Sequence, residues 1–133
     1  MEILEYRTYN ETDILRLYES VGWTAYTVNP SALQKGFENS LLTLAAYDAD
    51  RLLGILRAVG DGHTIVYVQD ILVYPEHQGK GIGSALLQAL FDRYTHVRQI
   101  ALTTDYTSKN VAFYKSMGFC ELAELGCCGF MSI

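Results

Sequence analysis

Apolar side chains recur along the chain with two periods, and the changes between them mark out the elements. Residues 2–8 (EILEYRT) alternate apolar and polar positions and predict a short strand. Thr12 or Asn10 stands ahead of Ile14, Leu17, Tyr18 and Val21, an i, i+3, i+4, i+7 series that predicts a capped helix stopped at Gly22. Asn29-Pro30 has the order of an N-cap followed by a first-turn proline and opens a second helix with Leu33 and Phe37. The apolar runs Leu41–Tyr47 and Leu52–Val59 flank Asp48-Ala49-Asp50, a hairpin signal. Gly60-Asp61-Gly62 makes a turn before Thr64–Tyr74, a run apolar on both faces, as in a strand covered on both sides of a sheet. A helix is predicted over 82–95, with Ile82, Leu86, Leu87, Leu90 and Tyr94 on one stripe, and a strand over 97–103. Ser108 is the expected cap of a helix over 109–117 carrying Val111, Phe113, Tyr114 and Met117 and ended by Gly118. Phe119–Leu125 and Cys127–Ile133 read as a closing pair of strands.

The order is β-α-α-β-β-β-α-β-α-β-β. A meander of three antiparallel strands running into a β-α-β crossover predicts an α/β (α+β) fold, a central mixed sheet of about seven strands flanked by about four helices.

Half of the residues are hydrophobic and 19% are charged, which supplies a core and argues against disorder. The 133 residues fit one domain, 1–133. Ten Lys and Arg against 15 Asp and Glu give a net charge of −5, without the basic surplus that nucleic acid or anionic lipid attracts. No apolar run approaches the ~20 residues of a membrane-spanning helix. The start, MEILEYRTYNETD, is mixed and acidic, unlike a signal peptide. Cys120, Cys127 and Cys128 crowd one end with no CxxC pair and no histidine spacing. They read as reduced thiols in or near the last strands, so the expectation is a cytoplasmic chain with no metal site.

Chemistry concentrates in Val73-Tyr74-Pro75-Glu76-His77-Gln78-Gly79-Lys80-Gly81-Ile82-Gly83-Ser84, between the doubly covered strand and the helix over 82–95. Three glycines at alternate positions bare successive N–H groups at a helix N-terminus, where the dipole also favours an anion such as a pyrophosphate. A Walker loop needs Ser or Thr after Gly79-Lys80, and residue 81 is Gly; a Rossmann fingerprint needs Gly at 84, and residue 84 is Ser. On the glycines alone, a tight turn without a ligand is the competing reading.

The wider pattern Pro75-x-x-Gln78-Gly79-x-Gly81-Ile82-Gly83 resembles motif A of the GNAT acetyltransferase superfamily, Q/R-x-x-G-x-G/A. Thirty residues on, Asn110, Ala112, Phe113-Tyr114 and Gly118-Phe119 resemble that family's second signature. The two motifs cover about a third of the chain, and the order of elements matches the family fold over nearly its whole length.

The resemblance implies acetyl-CoA as acetyl donor and an N-acetyltransferase acting on a primary amine of a small molecule or peptide, by direct attack in a ternary complex. Its pyrophosphate would meet the backbone amides of Gln78, Gly79, Lys80, Gly81, Ile82 and Gly83, with the Ser84 hydroxyl beside them. Backbone groups of Ile71, Leu72 and Val73 would pair with the pantetheine arm, one N–H polarising the thioester carbonyl. Asn110 matches the asparagine near that arm, unless it only serves its own helix. Tyr114 would donate a proton to the departing thiolate, and Asp70, a lone carboxylate in the run 64–73, is the candidate base. His63 and His77 fall in turns, where an exposed, idle histidine is the simpler reading. Trp23 and Tyr26, in a segment that overhangs the family's acceptor site, would wall a pocket or cap the core; Tyr9, Arg57 and Tyr106 share that ambiguity. Homodimers are common in the family. The alternatives are a non-catalytic acyl-CoA-binding module and a nucleotide-binding domain of another type.

Overall fold

The computed structural model describes residues 1–133 and divides them into two units, Met1–Leu102 and Thr103–Ile133. In the first, β1 (Glu2–Glu5) leads to α1 (Glu11–Ser20), the single-turn α2 (Thr24–Thr27) and α3 (Pro30–Glu38). The meander β2 (Leu42–Asp48), β3 (Arg51–Gly60) and β4 (Ile65–Val73) follows, then a 3-10 turn at Pro75–His77, α4 (Ile82–Arg93) and β5 (Gln99–Leu102). The sheet order is β1-β2-β3-β4-β5, antiparallel throughout except for the parallel pair β4–β5 joined by α4.

Both faces of the sheet are covered, which is why β3 is buried at consecutive positions from Leu52 to Ala58. On one face α1 and α3 bring Ile14, Leu17, Tyr18, Leu33 and Phe37 onto Ala45, Ile55 and Leu72. Helix α4 packs Ile82, Leu86, Leu87 and Leu90 against β2, β3 and β4, each such burial stabilising by roughly 1.5–3 kcal/mol. Asn10 caps α1 by accepting from the Asp13 N–H at 3.0 Å, and Asn29 caps α3 through the Ala32 N–H at 3.3 Å. No helix is long and apolar enough to cross a membrane.

The second unit holds α5 (Ser108–Ser116) and a 3-10 turn, Leu122–Leu125. Thr107 is the cap of α5, one residue ahead of the expected Ser108. The two closing strands expected over 119–133 do not form. Glu121 and Glu124 make a capping box that curls the chain, and the Cys127 N–H returns to the Leu122 carbonyl at 2.8 Å, so local bonds take the backbone groups a ladder would need. The sheet therefore has five strands where about seven were expected. Cys120, Cys127 and Cys128 are exposed free thiols, not packed in strands.

Candidate functional site

The site begins where β4 leaves β5. Their parallel pairing runs from Ile65↔Gln99 to Val68↔Leu102 and stops, while β4 stays paired with β3 as far as Val73↔Gly54. At the parting, Arg57 pairs with Asp70 and Ala58 with Val68, which leaves Gln69 as the extra residue of a β-bulge. Beyond it β4 keeps one ladder and one open edge. The Tyr74 N–H donates to the Leu53 carbonyl at 2.9 Å, so by strand alternation Leu72 also turns its polar groups to β3, whereas Ile71 and Val73 turn theirs outward. The expectation for three successive backbone groups is thus corrected at Leu72, whose groups belong to the β3 ladder.

The open edge runs directly into the glycine turn. Gln78 Nε2 donates to the Val73 carbonyl at 3.1 Å and ties the turn to the strand end. Gly79 and Gly81 have φ of +77° and +84°, and a side chain at either would meet no other atom within 4 Å. Backbone conformation, not crowding, demands glycine there. The first turn of α4 has no side-chain cap and no acidic residue, so the amides of Ile82, Gly83 and Ser84 and the positive end of the dipole meet no acceptor from the chain's own side chains. Lys80 is exposed on the same turn. An uncapped N-terminus with two left-handed glycines and a lysine fits a phosphate-bearing ligand.

Asp70, beside the bulge, lies at the centre of a buried polar network. Its Oδ2 accepts from Arg57 Nε at 2.8 Å and from the Tyr18 hydroxyl at 2.7 Å; its Oδ1 accepts from the Tyr26 hydroxyl at 2.9 Å. Gln69 Nε2 donates to the same Tyr26 oxygen at 3.1 Å. Arg57 also reaches Ser40 Oγ at 3.3 Å and lies 5.4 Å from the centre of the Phe37 ring. Burial, then the Asp70 charge, pushes the Tyr18 phenol far above its ordinary range. Tyr26 is also raised, by burial first, with the Gln69 hydrogen bond opposing. Asp70 has Arg57 as its counter-ion and two phenols as donors, an arrangement that holds a carboxylate in place rather than presenting it to an incoming amine. Sequence reasoning marked Asp70, Arg57 and Tyr26 but missed Tyr18 and Gln69. The apolar stripe of α1 hides the Tyr18 hydroxyl, and only the bulge brings Gln69 and Asp70 to one phenol.

In the second unit Tyr114 packs edge-on to Phe119, with ring centres 5.8 Å apart. Burial pushes its phenol up, against an opposing hydrogen bond with Thr104. Asn110 Nδ2 donates to Thr104 Oγ1 and to the Asp105 carbonyl, both at 3.1 Å, so its side chain closes the loop ahead of α5. His63 is exposed and His77 half-buried in their turns, and Tyr106 is exposed.

The sequence model of the acetyltransferase (GNAT) family matches residues 8–119. A GNAT family acetyltransferase from Streptococcus pneumoniae TIGR4 has a solved structure that superposes with a TM-score of 0.90 at 38% identity, covering 99% of this chain and 96% of that one. An uncharacterized N-acetyltransferase, ycf52, from Gracilaria tenuistipitata var. liui is 29% identical over 123 residues, 87% of this chain; the chain spans 65% of that curated relative's length. The structure of an aminoglycoside 6'-N-acetyltransferase complexed with coenzyme A shares the fold, with a TM-score of 0.71 at 19% identity over 89% of this chain and 84% of that one. With a strand that parts from its parallel neighbour, a glycine turn leading into an uncapped helix, and a family match over most of its length, the chain belongs to the GNAT acetyltransferase family.

Proposed function

We propose that the protein transfers the acetyl group of acetyl-CoA to a primary amine of a small molecule or peptide, by direct attack within a ternary complex. The observation that carries this reading is the open edge of β4 running straight into the uncapped, glycine-lined start of α4. That continuity suits one ligand with an amide-bearing arm at one end and a pyrophosphate at the other. Acetyl-CoA, when bound, supplies a thioester activated toward an amine.

The outward N–H and C=O groups of Ile71 and the outward N–H of Val73 would pair with the arm as an added strand, while the Val73 carbonyl takes the Gln78 side chain. The amides of Gly79, Lys80, Gly81, Ile82, Gly83 and Ser84 would hold the pyrophosphate, with the Lys80 charge nearby and Gln78 bracing the turn. Tyr114 is assigned, on the motif it belongs to, as the acid that protonates the departing sulfur. Its raised phenol stays protonated beyond the ordinary tyrosine range near pH 10, so the acid form is present at all physiological pH. Asp70 is assigned no proton transfer with the amine, because Arg57, Tyr18 and Tyr26 engage it; it acts by positioning Tyr26. The amine attacks as its free base and loses its second proton to water once the new C–N bond has formed.

The test pairs calorimetric titration of acetyl-CoA with mass-spectrometric detection of acetylated products from a panel of amines. Gly81→Glu should abolish cofactor binding, while Gly81→Ala, with the same backbone strain and no charge, should retain part of it. Tyr114→Phe should lower kcat about 100-fold with acetyl-CoA affinity nearly unchanged. A folded Gly81→Glu that binds normally would overturn the ligand assignment. Acetyl-CoA binding with no acetylated product from any amine would favour the acyl-CoA-binding module instead.

A further inference from the structure

The geometry points to Tyr26 as the residue that receives an N–H of the acceptor amine, and hence to acceptors that carry no carboxylate beside the reacting nitrogen. This inference rests on the acetyl-transfer reading above. A phenol has one proton and two lone pairs. Tyr26 gives its proton to Asp70 Oδ1 at 2.9 Å, since an ion-paired carboxylate only accepts, and takes an N–H from Gln69 Nε2 at 3.1 Å. One lone pair is left, so Tyr26 meets a ligand as an acceptor alone. A primary amine or ammonium satisfies it; a carboxylate in the same place faces an oxygen with no hydrogen to give.

Placement supports the assignment. Gln69 is exposed and is the bulge residue at which β4 leaves β5, so the Tyr26 hydroxyl stands at the head of the open edge. Tyr26 belongs to α2, a single turn with no buried residue, and its ring lies 6.1 Å from Trp23 at an interplanar angle of 34°. Both rings also pack against Tyr18, with centroids 5.9 and 5.2 Å away, so what this half-buried pair shows to a ligand is aromatic surface, which suits a cation or an alkyl chain better than an anion. The hydroxyl is fixed from below by Asp70, itself held by Arg57 and Tyr18, so Asp70, Arg57 and Gln69 are positioning residues and Tyr26 sets specificity.

The experiment measures steady-state acetylation of matched pairs that differ by one carboxylate: tyramine against tyrosine, cadaverine against lysine, agmatine against arginine. Wild type should favour the decarboxylated member of each pair it uses by at least about tenfold in kcat/KM, the scale of one buried hydrogen bond lost. Tyr26→Phe should raise the KM for the amine about tenfold, narrow that preference and leave the KM for acetyl-CoA unchanged. Gln69→Leu, a change at an exposed side chain, should move both amine values part of the way. Wild-type turnover with amine KM and preference unaltered in Tyr26→Phe overturns the role of Tyr26 and leaves acetyl transfer standing. No turnover of any of the six compounds by wild type, with acetyl-CoA bound, overturns the acceptor class inferred here. A blank across the wider amine panel as well would overturn the acetyl-transfer reading itself.

Discussion

The Asp70–Arg57 pair shows how one residue joins fold and chemistry. Both side chains are buried, and the carboxylate accepts bonds from β3, α1 and α2 together. Removing two charges from water is costly, and only complete pairing offsets it. Asp70→Ala leaves the Arg57 guanidinium buried without its partner and should destabilise the protein by about 3–5 kcal/mol. Asp70→Asn, which retains an acceptor oxygen, should cost less. Replacing both members, Asp70→Leu with Arg57→Met, should recover much of the loss. Urea unfolding of the four proteins checks this; a double variant no more stable than Asp70→Ala would mean that packing, not the unpaired charge, sets the cost. The sequence shows the carboxylate as a polar interruption of an apolar run. Its partners cannot be read there, because Arg57 lies 13 residues away, Tyr26 44 and Tyr18 52.

At the scale of elements, the hairpin β3–β4 carries the open edge, and its geometry depends on one close approach. A Cβ at Gly54 would lie 2.6 Å from the Leu72 carbonyl oxygen and 3.1 Å from Val73 Cα, both backbone atoms that cannot swing aside. Gly54→Ala should force the ladder apart where β4 carries the outward groups of Ile71 and Val73, at a cost of roughly 1–3 kcal/mol. Acetyl-CoA affinity should fall with it. A variant of unchanged melting temperature and unchanged affinity would show that the strands yield freely. The elements legible in sequence are those with periodicity, a cap or an apolar run: α1, α3, α4 and α5, and all five strands, β1 to β5. The single-turn α2 was not, because four residues give no period to detect. The strands expected over 119–133 are absent because a strand needs a neighbour as well as apolar residues, and the capping box at Glu121–Glu124 offers the chain a local alternative. The glycine turn was legible because its two left-handed residues leave glycine as the ready choice. The bulge at Gln69 leaves no such mark.

Across the whole chain, burial is distributed unevenly, and this sets an order of opening. Every fully buried side chain precedes Phe91, and the core residues of β2 to β4 and of α4 all lie in the first unit. In the second unit no side chain is fully buried, and its contacts are half-buried rings such as Tyr114 on Phe119, the Thr107 cap on α5, the capping box at Glu121–Glu124, and Lys115 paired with Glu121 at 3.5 Å and Glu124 at 3.1 Å. Exposed pairs of that kind contribute little, and caps about 1 kcal/mol each. Phe130, Met131 and Ile133 add no burial, since each is almost wholly exposed. Amides in segments with little apolar burial open locally, well below the free energy of global unfolding. Hydrogen exchange followed by mass spectrometry should therefore label α5 and Leu122–Leu125 first and β3 and α4 last, with the protection of β3 approaching the global stability from urea. Titration of the native protein with a thiol reagent should modify all three cysteines without denaturant. Exchange of α5 as slow as that of β3, with the cysteines unreactive, would mean that the second unit is buried in solution by a partner such as a second copy of the chain. Dilution would then have to speed exchange in α5 while leaving β3 unchanged, because only an interface between molecules depends on concentration.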